Sequence, residues 1–429
     1  MRNFSRRQAI GLGAAAMAAT VLPGSARARF KYGAAGVNNI GRALVPFTIV
    51  NNSGSSEPAY VYYFGTTWPL TPQYNTYYIS DLNGDCTLFP VSAPNKIYGH
   101  ELQDKTVNAF LPQLDGLRMY ISIGKPLSVM TDAFGIPIAV SADVEGGNPN
   151  YKTVWDFVEG TWHDYTTHTV LHINVTQVDA FGLAFKVEHS GFDPADPTKP
   201  ITIINGFDTN TARADIFKDL TAKGVPWSQL IISDAGNPVR ALMPVKSIDL
   251  DVFPKDQLDK YIKDVLLFYD SATNNRLVFS YSGVNYTGST TVIASGGGAF
   301  TFVPDKKEDA NKVATSTYII PAPTTRECYA QNIVSIPNDG PGGALCAALG
   351  ASFLRSTLIF DPSAGFPVPQ EDRSLYYQNQ PICEYAKIIH KYGINNHAFC
   401  YGYDEVADDA GGNRDVFNPT GFTLTINGV

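Results

Sequence analysis

Apolar and aromatic residues occur in short, strand-like runs along the first half of the chain. The first two runs lie within residues 44–64 and flank a polar segment that contains Gly54. Similar runs recur at 117–123, 137–141, 153–162, 169–180 and 182–189. Clusters of Gly, Pro, Asn and Asp separate these runs, and this pattern predicts a β-sandwich or β-barrel.

The hydrophobic spacing then changes to that of a mixed α/β unit. One helix is predicted over 212–223, where Gly224 would end it. A second is predicted over 254–268, with Pro254 in its first turn. The strands predicted around these helices cover 226–232, 239–251 and 276–304. The stretch is long enough for a core of its own.

After residue 312 the pattern mixes helices and strands. Helices are predicted at 344–356 and 382–392, and the last strand-like runs are AFCYGY and FTLTI. We therefore predict a mainly β protein with an α+β insertion, whose final strands return to the first sheet. The predicted parts are a β domain beginning at 29–205, an inserted α/β domain at 206–312, and the rest of the β domain at 313–429.

The N-terminus is typical of an export signal. Arg6 and Arg7 precede an apolar run from Ala9 to Leu22, which is too short to span a bilayer comfortably. Paired arginines before such a run predict a twin-arginine signal that is cleaved after Ala28. The expected location is periplasmic or extracellular, without membrane attachment after cleavage. An ordinary secretion signal and an uncleaved anchor are the alternatives.

Composition narrows the class of partner. Of the 429 residues, 44% are hydrophobic, 12% aromatic and only 17% charged, which favours a β-rich exported protein. The formal net charge of −8 argues against nucleic acid, whose recognition needs clustered Lys and Arg. A neutral polysaccharide fits better. The five cysteines include no CxxC pair, so no structural zinc site is expected. One or two disulfides are plausible, with their connectivity open.

Two acidic residues stand out in the segment 155–182, WDFVEGTWHDYTTHTVLHINVTQVDAFG. Glu159 and Asp179 lie in strand-like sequence on either side of a short polar turn. Two carboxyl groups that face each other across a hairpin are the smallest set of catalytic groups that usually hydrolyses a glycosidic bond. Most acidic residues in strands are simply solvated or paired, and that is the competing interpretation.

Several segments resemble glycoside hydrolase family 64, the β-1,3-glucanases of the thaumatin-like superfamily. The segments that carry the resemblance are FTIVNNSGSSEPAYVYYFGT, RMYISIGKPL at 118–127, VEGTWHD, NVTQVDAFGL and residues 384–428. The resemblance implies a thaumatin-like β domain, an inserted α/β domain and a cleft between them for β-1,3-glucan. It also implies endo-type hydrolysis with inversion, without a cofactor or a metal. We expect a monomer.

The resemblance also implies roles for individual residues. Glu159 falls at the general acid and Asp179 at the general base. Thr161 and Thr176 match threonines that contact sugar, and their neighbours Trp162 and Gln177 are further candidates. Two positions depart from the family pattern: His163 replaces an Asn and His172 replaces a Trp that would stack on a sugar ring. We expect both histidines to contact sugar.

Three alternatives remain at this point. The residues His163, His168 and His172 suggest a metal site, although histidine spacing alone is a weak signal. The acidic set Asp404, Glu405, Asp408 and Asp409 suggests a second site, but a solvated face or one wall of the cleft is the simpler interpretation. The third alternative is a glucan-binding protein without catalysis, which the loss of the stacking Trp at His172 favours.

Overall fold

The structure is a computed structural model that describes residues 36–38, 40–66, 77–88, 99–129, 148–165, 167–292, 297–305, 316–359, 366–406 and 415–429. These residues belong to one compact unit, Tyr32–Val429. The predicted export signal, the strand predicted at 137–141, and Asp408 and Asp409 lie outside the described residues. None of the described helices is long and apolar enough to cross a membrane.

The described strands, in chain order, are β1 (Gly36–Val37), β2 (Ala43–Asn51), β3 (Ala59–Thr66), β4 (Tyr77–Ser80), β5 (Cys86–Leu88), β6 (His100–Glu101), β7 (Thr106–Pro112), β8 (Asp115–Ile123), β9 (Val154–Asp164), β10 (Thr169–Val175), β11 (Ala180–Phe181), β12 (Phe185–Asp193), β13 (Asp196–Gly206), β14 (Ile231–Asp234), β15 (Asn237–Leu242), β16 (Leu277–Tyr281), β17 (Val284–Val292), β18 (Gly298–Pro304), β19 (Tyr318–Pro321), β20 (Phe366–Pro367) and β21 (Val416–Ile426). The described helices are α1 (Arg213–Ala222), α2 (Pro244–Asp249), α3 (Asp259–Phe268), α4 (Thr325–Ala330), α5 (Gly340–Arg355) and α6 (Glu384–Tyr392), with 3-10 turns at Trp227–Leu230, Arg373–Leu375 and Ile394–Asn396.

A thirteen-stranded sheet dominates the described part of the chain, so the mainly β fold is confirmed. Its main path runs β1-β2-β21-β10-β9-β8-β3-β4-β5. The last strand, β21, lies parallel to β2 and antiparallel to β10. The first two predicted runs form β2 and β3, but they do not pair with each other. Instead β2 pairs with β7 and β21, and β3 pairs with β8.

Two smaller sheets complete the fold. One has the order β11-β15-β14 and the other β19-β18-β17-β16-β20. Strand β11 comes from the predicted first domain and pairs with β15 of the predicted insertion. Likewise β18 and β19 pair across residue 312. The predicted domain boundaries at residues 205 and 312 therefore do not coincide with the edges of the sheets.

Several local predictions need correction. The helix predicted over 212–223 is confirmed as α1, but α3 begins only at Asp259 because turns occupy residues 255–258. The strand predicted at 239–251 ends at Leu242, where Pro244 begins the short helix α2. The run AFCYGY forms no strand: Phe399 makes an isolated bridge to Thr176, and a turn includes Gly402 and Tyr403, whose left-handed φ is 65°. All five cysteines are buried and unpaired, so the expected disulfides are wrong.

The sheet separates two hydrophobic clusters. The larger one includes Val158, Trp162 and Leu171, all nearly inaccessible to solvent. The smaller one includes Tyr120, Trp155 and Phe157 together with Leu242 of β15. Since β9 contributes to both clusters, its two faces have different surroundings. The smaller cluster joins β9 to the three-stranded sheet on the face that also carries Glu159.

A buried ionic cluster fixes the C-terminal part of the fold. The Arg355 guanidinium lies 3.3 Å from an Asp404 carboxylate oxygen, and its Nε donates to the Tyr401 hydroxyl at 2.7 Å. The other Asp404 oxygen accepts from Cys400 N at 3.0 Å and lies 2.8 Å from His390 Nε2. Burial alone would raise the pKa of Asp404. The charges of His390 and Arg355 outweigh burial and hold this pKa well below its usual range.

We predict that Asp404→Asn is strongly destabilising. The Arg355 side chain is 1% exposed, and removing one partner of a buried ion pair costs about 3–5 kcal/mol of unfolding free energy. Because the folded pKa of Asp404 is lowered, its contribution is present above about pH 4 and is lost as the pH falls further. Urea unfolding at neutral and acidic pH measures both effects, with exposed Asp251→Asn as the control. A loss below about 1 kcal/mol at neutral pH would contradict the account.

Candidate functional site

The β9–β10 hairpin gathers polar side chains on one face of the large sheet. Glu159 is paired with Asn174 of β10 and with Arg118 of β8. Thr161 is paired with His172 in the same register. Directly opposed residues share a face, and alternate residues of one strand do so as well. Hence Glu159, Thr161, His163 and His172 lie together, as the sequence predicts.

Trp162 does not belong to this face. It alternates with Thr161 and His163, so its side chain enters the larger hydrophobic cluster and is 2% exposed. Its proposed contact with sugar is therefore wrong. The period-two alternation of a strand is the physical reason, and it also separates Trp162 from Glu159.

Asp179 lies beyond the hairpin rather than on it. Strand β10 ends at Val175, where Thr176 forms an isolated bridge with Phe399. The Gln177 amide then donates to the Phe399 carbonyl at 2.7 Å. Asp179 follows in the connection to β11, and the residue opposite Glu159 is Asn174. The prediction that both carboxylates face each other from paired strands is wrong.

A lysine accompanies Asp179. Lys246 Nζ of α2 lies 3.7 Å from Asp179 Oδ1, and both side chains are partly exposed. The backbone brings the two together, because the Met243 amide just before α2 donates to the Asp179 carbonyl at 3.1 Å. A neighbouring cation favours the ionised carboxylate. The sequence carries no local signal for Lys246, since the contact joins distant parts of the chain.

Thr176 and Gln177 lie deeper than expected. They are 2% and 1% exposed, respectively. In the Gln177 side chain, neither Nε2 nor Oε1 has a hydrogen-bond partner among the residues that the structure describes, although the backbone amide of Gln177 does. The Gln177 side chain therefore makes no hydrogen bond to Asp179, whereas Lys246 lies 3.7 Å from it. Thr161, by contrast, is partly exposed and its hydroxyl accepts from the Gly116 amide at 3.3 Å.

A buried carboxylate that sequence reasoning missed, Asp156, connects the two halves of the site. Its Oδ2 accepts from the amides of Gly182 at 2.7 Å and Leu183 at 3.1 Å. Its Oδ1 accepts from the Phe157 amide at 2.9 Å. Thus the strand that carries Glu159 is bonded to the segment that follows Asp179. The residue pattern alone could not reveal this link, because Asp156 looks like any acidic residue within a strand.

The histidines have partners that differ from one another. His163 Nδ1 lies 2.9 Å from an oxygen of the buried Asp115, and His172 Nδ1 lies 3.0 Å from one of Asp415. The ring of His168 stacks on Phe417 at a centroid distance of 4.0 Å. In the described ranges these histidines do not form a group able to hold a metal ion. The metal alternative therefore loses its support.

One different group does have the closeness that a metal site needs. Ligand atoms of His390, Cys400 and Asp404 lie within 4.8 Å of one another. These atoms are close because His390 and Cys400 are both hydrogen-bonded to Asp404. Arg355 supplies the positive charge that balances the Asp404 carboxylate. Since Asp404 is fully buried, its assignment to a solvated face is wrong.

Glu405, the neighbour of Asp404, is only partly buried. Burial and the charge of Asp404 raise the pKa of Glu405, while the charges of Arg355 and His172 act in the opposite direction.

We predict a pH-dependent stability difference at Asp156. Burial raises its pKa to about 7, against the opposing effects of three backbone amides and Arg240. An unfolded Asp has a pKa of about 3.9, so the folded protein binds the proton more tightly between those values. Unfolding free energy therefore decreases as the pH rises through this window, by up to about 4 kcal/mol.

The variant Asp156→Asn lacks this slope. Urea unfolding of both proteins between about pH 4.5 and about pH 7.5 measures the difference, and other titrating groups cancel in the comparison. Parallel pH dependences of the two proteins would contradict the prediction.

Comparisons with known proteins agree on one family. Residues 43–426 match the profile of glycoside hydrolase family 64, described as beta-1,3-glucanase. A glucan endo-1,3-beta-glucosidase from Cellulosimicrobium cellulans is 25% identical over 379 residues, which is 85% of this chain and 62% of the relative. One from Arthrobacter sp. (strain YCWD3) is 25% identical over 378 residues, with the same coverage. The chain thus spans less than two thirds of the length of these curated relatives.

Solved structures share the fold. A laminaripentaose-producing beta-1,3-glucanase in complex with laminaritetraose aligns with a TM-score of 0.71 and 23% identity, over 90% of this chain and 98% of the other. A family 64 beta-1,3-glucanase domain from Clostridium beijerinckii aligns with a TM-score of 0.64 and 21% identity, with the same coverage. Because the family profile covers most of the sequence, the chain belongs to glycoside hydrolase family 64.

Proposed function

We propose that this chain is an endo-β-1,3-glucanase that hydrolyses its substrate with inversion at the anomeric carbon. The observation that carries the proposal is the pairing of Asp179 with Lys246, in a chain whose Glu159 lies on a polar sheet face. Asp179 has a lysine beside it in a connecting segment, whereas Glu159 lies within a strand and has Asn174 and Arg118 directly opposite, so the two acids have different surroundings. Distinct surroundings are what separate roles for an acid and a base require. Family membership and the names of the relatives supply the substrate class.

In the proposed reaction, Glu159 donates its proton to the leaving glycosidic oxygen. Asp179, ionised beside Lys246, accepts a proton from a water molecule that attacks the anomeric carbon from the opposite side of the sugar ring. Inversion needs the two carboxyl groups far enough apart to admit that water. Placing Asp179 beyond the hairpin, rather than opposite Glu159, is compatible with such a gap. The reaction requires no cofactor.

The sugar would contact the polar face around Glu159. Thr161, His163 and His172 offer hydroxyl and imidazole groups at the right register positions. Asn174 and Arg118 were not expected from the sequence, but they lie directly opposite Glu159. Hydroxyl, imidazole and amide groups suit glucan hydroxyls, and the cationic guanidinium of Arg118 can donate hydrogen bonds to them as well. Thr176 and Gln177 remain part of the proposal as buried supports beside the cleft.

The broader setting is also proposed. The β domain would be thaumatin-like, with the α/β part forming the second wall of the glucan cleft. The N-terminal signal would direct export through the twin-arginine route to the periplasm or the medium, where the protein would act as a monomer. An N-terminal residue other than Arg29 in the exported protein would reject cleavage after Ala28.

The protein should release reducing ends from laminarin or curdlan, and Glu159→Gln and Asp179→Asn should each lower kcat by about 10²–10⁴-fold. Glu188→Gln and Asp193→Asn, on strand β12, are the matched controls and should keep full activity. Full activity of Glu159→Gln would reject its role as the acid.

A second candidate function is glucan binding without useful catalysis. The replacement of a stacking aromatic by His172, which is held by Asp415, is the observation that favours it. Retention on insoluble β-1,3-glucan without soluble product would select this function over hydrolysis.

Lys246 is expected to stabilise the ionised form of Asp179. Replacing it by Met makes protonation of Asp179 easier, because the stabilising cation is lost. The acidic limb of the pH profile of kcat should therefore move to higher pH, while Lys246→Arg should keep the wild-type limb. Lys255→Met, at an exposed site, is the control. An unchanged acidic limb in Lys246→Met would show that the lysine does not support the base.

A further inference from the structure

We infer that Asp156 is a positioning residue that sets the separation between Glu159 and Asp179. The inference rests on the proposed function, because it concerns the geometry of that acid–base pair. Asp156 precedes Glu159 by three residues on β9, and the amide of Gly182 that it binds follows Asp179 by three residues. Each link is therefore one short stretch of backbone away from a reacting carboxyl group.

The two carboxyl groups need such a link because no strand pairing joins them. Glu159 lies within β9, whereas Asp179 lies in a connection between strands of two different sheets. The register of β9 and β10 fixes Asn174 opposite Glu159 but ends at Val175. Beyond that point, the amides of Gly182 and Leu183 donate to Asp156 and so tie the segment after Asp179 back to β9.

Gly182 allows this link to be short. A Cβ at this position would lie 2.1 Å from the Trp155 carbonyl oxygen, a distance that real side chains do not tolerate. The segment after Asp179 therefore packs backbone to backbone against β9. Only glycine permits this approach without displacing one of the two chains.

The buried side chain of Arg213 holds the carbonyl side of Gly182. Arg213 Nε donates to the Gly182 carbonyl at 2.7 Å, and its Nη2 donates to the Val239 carbonyl at 2.6 Å. Gly182 is thus fixed through its amide by Asp156 and through its carbonyl by Arg213. Both charged side chains are buried, so these hydrogen bonds are protected from competition by water.

The inference is tested by comparing Asp156→Ala with Asp156→Asn. Alanine leaves the amides of Gly182 and Leu183 without an acceptor, so the segment should move and kcat should fall about 100-fold, the effect expected of a 1 Å misplacement. The single amide oxygen of asparagine can still accept from the amides of Gly182 and Leu183, and only the Phe157 amide loses its acceptor. Asp156→Asn should therefore keep kcat within about fivefold of wild type.

Substrate affinity separates a positioning role of Asp156 from a general loss of stability. The KM for laminarin-type oligosaccharides should stay within about twofold of wild type, because Asp156 lies behind the strand and not on the sugar-binding face. Their Kd, measured by calorimetry in a Glu159→Gln background, should also be unchanged by Asp156→Ala. Tyr269→Phe, which loses a buried hydrogen bond to the Leu358 carbonyl, is the control for lost stability and should keep kcat.

Gly182→Ala provides a second variant should Asp156→Ala not fold. It should lower kcat at constant KM, whereas Gly343→Ala, with open space around the added methyl group, should not. If the wild type is active and Asp156→Ala or Gly182→Ala keeps its kcat, the inference is overturned while the proposed function stands. The same holds if Tyr269→Phe loses as much kcat as these variants do. A wild type without hydrolytic activity overturns the proposed function itself.

Discussion

The site depends on one constraint: a strand and a loop from different sheets must stay at a fixed separation. The hydrogen bonds between Asp156 and the amides of Gly182 and Leu183 supply it, and the absence of a side chain at Gly182 makes it sterically possible. Burying a carboxylate is costly unless its oxygens are hydrogen-bonded, and here three backbone amides bind it. These buried hydrogen bonds hold the segment after Asp179 rigidly against β9, where the proposed chemistry needs a fixed geometry.

The remaining site follows from ordinary sheet geometry. Alternation along β9 sends Trp162 into the core and leaves Glu159, Thr161 and His163 on the polar face. Helix α2 lies outside the large sheet, and it brings Lys246 to Asp179. The two proposed catalytic groups thus depend on different parts of the chain. One is held by strand register and the other by contacts with the α/β segment.

Sequence reasoning succeeded where the signal was local. The strand that carries Glu159 and the helix α1 follow from short-range periodicity, and the grouping of Thr161 with His172 follows from the family resemblance. It failed where distant residues decide the structure. Strand β10 stops where Thr176 meets Phe399, and Lys246 reaches Asp179 from a separate helix. Neither contact leaves a pattern in the residues around Asp179. The burial of Trp162, by contrast, was available from strand alternation, but the resemblance to sugar-binding sites obscured it.

The stereochemistry of the product tests the central claim most directly. Linear β-1,3-glucan, hydrolysed in deuterated buffer, is followed by proton NMR from the first minutes, before the anomers equilibrate. The account predicts that the new reducing ends appear first as the α-anomer, because water attacks opposite the leaving oxygen in an inverting reaction. First appearance of the β-anomer would contradict the assignment of Glu159 and Asp179 as an inverting acid and base.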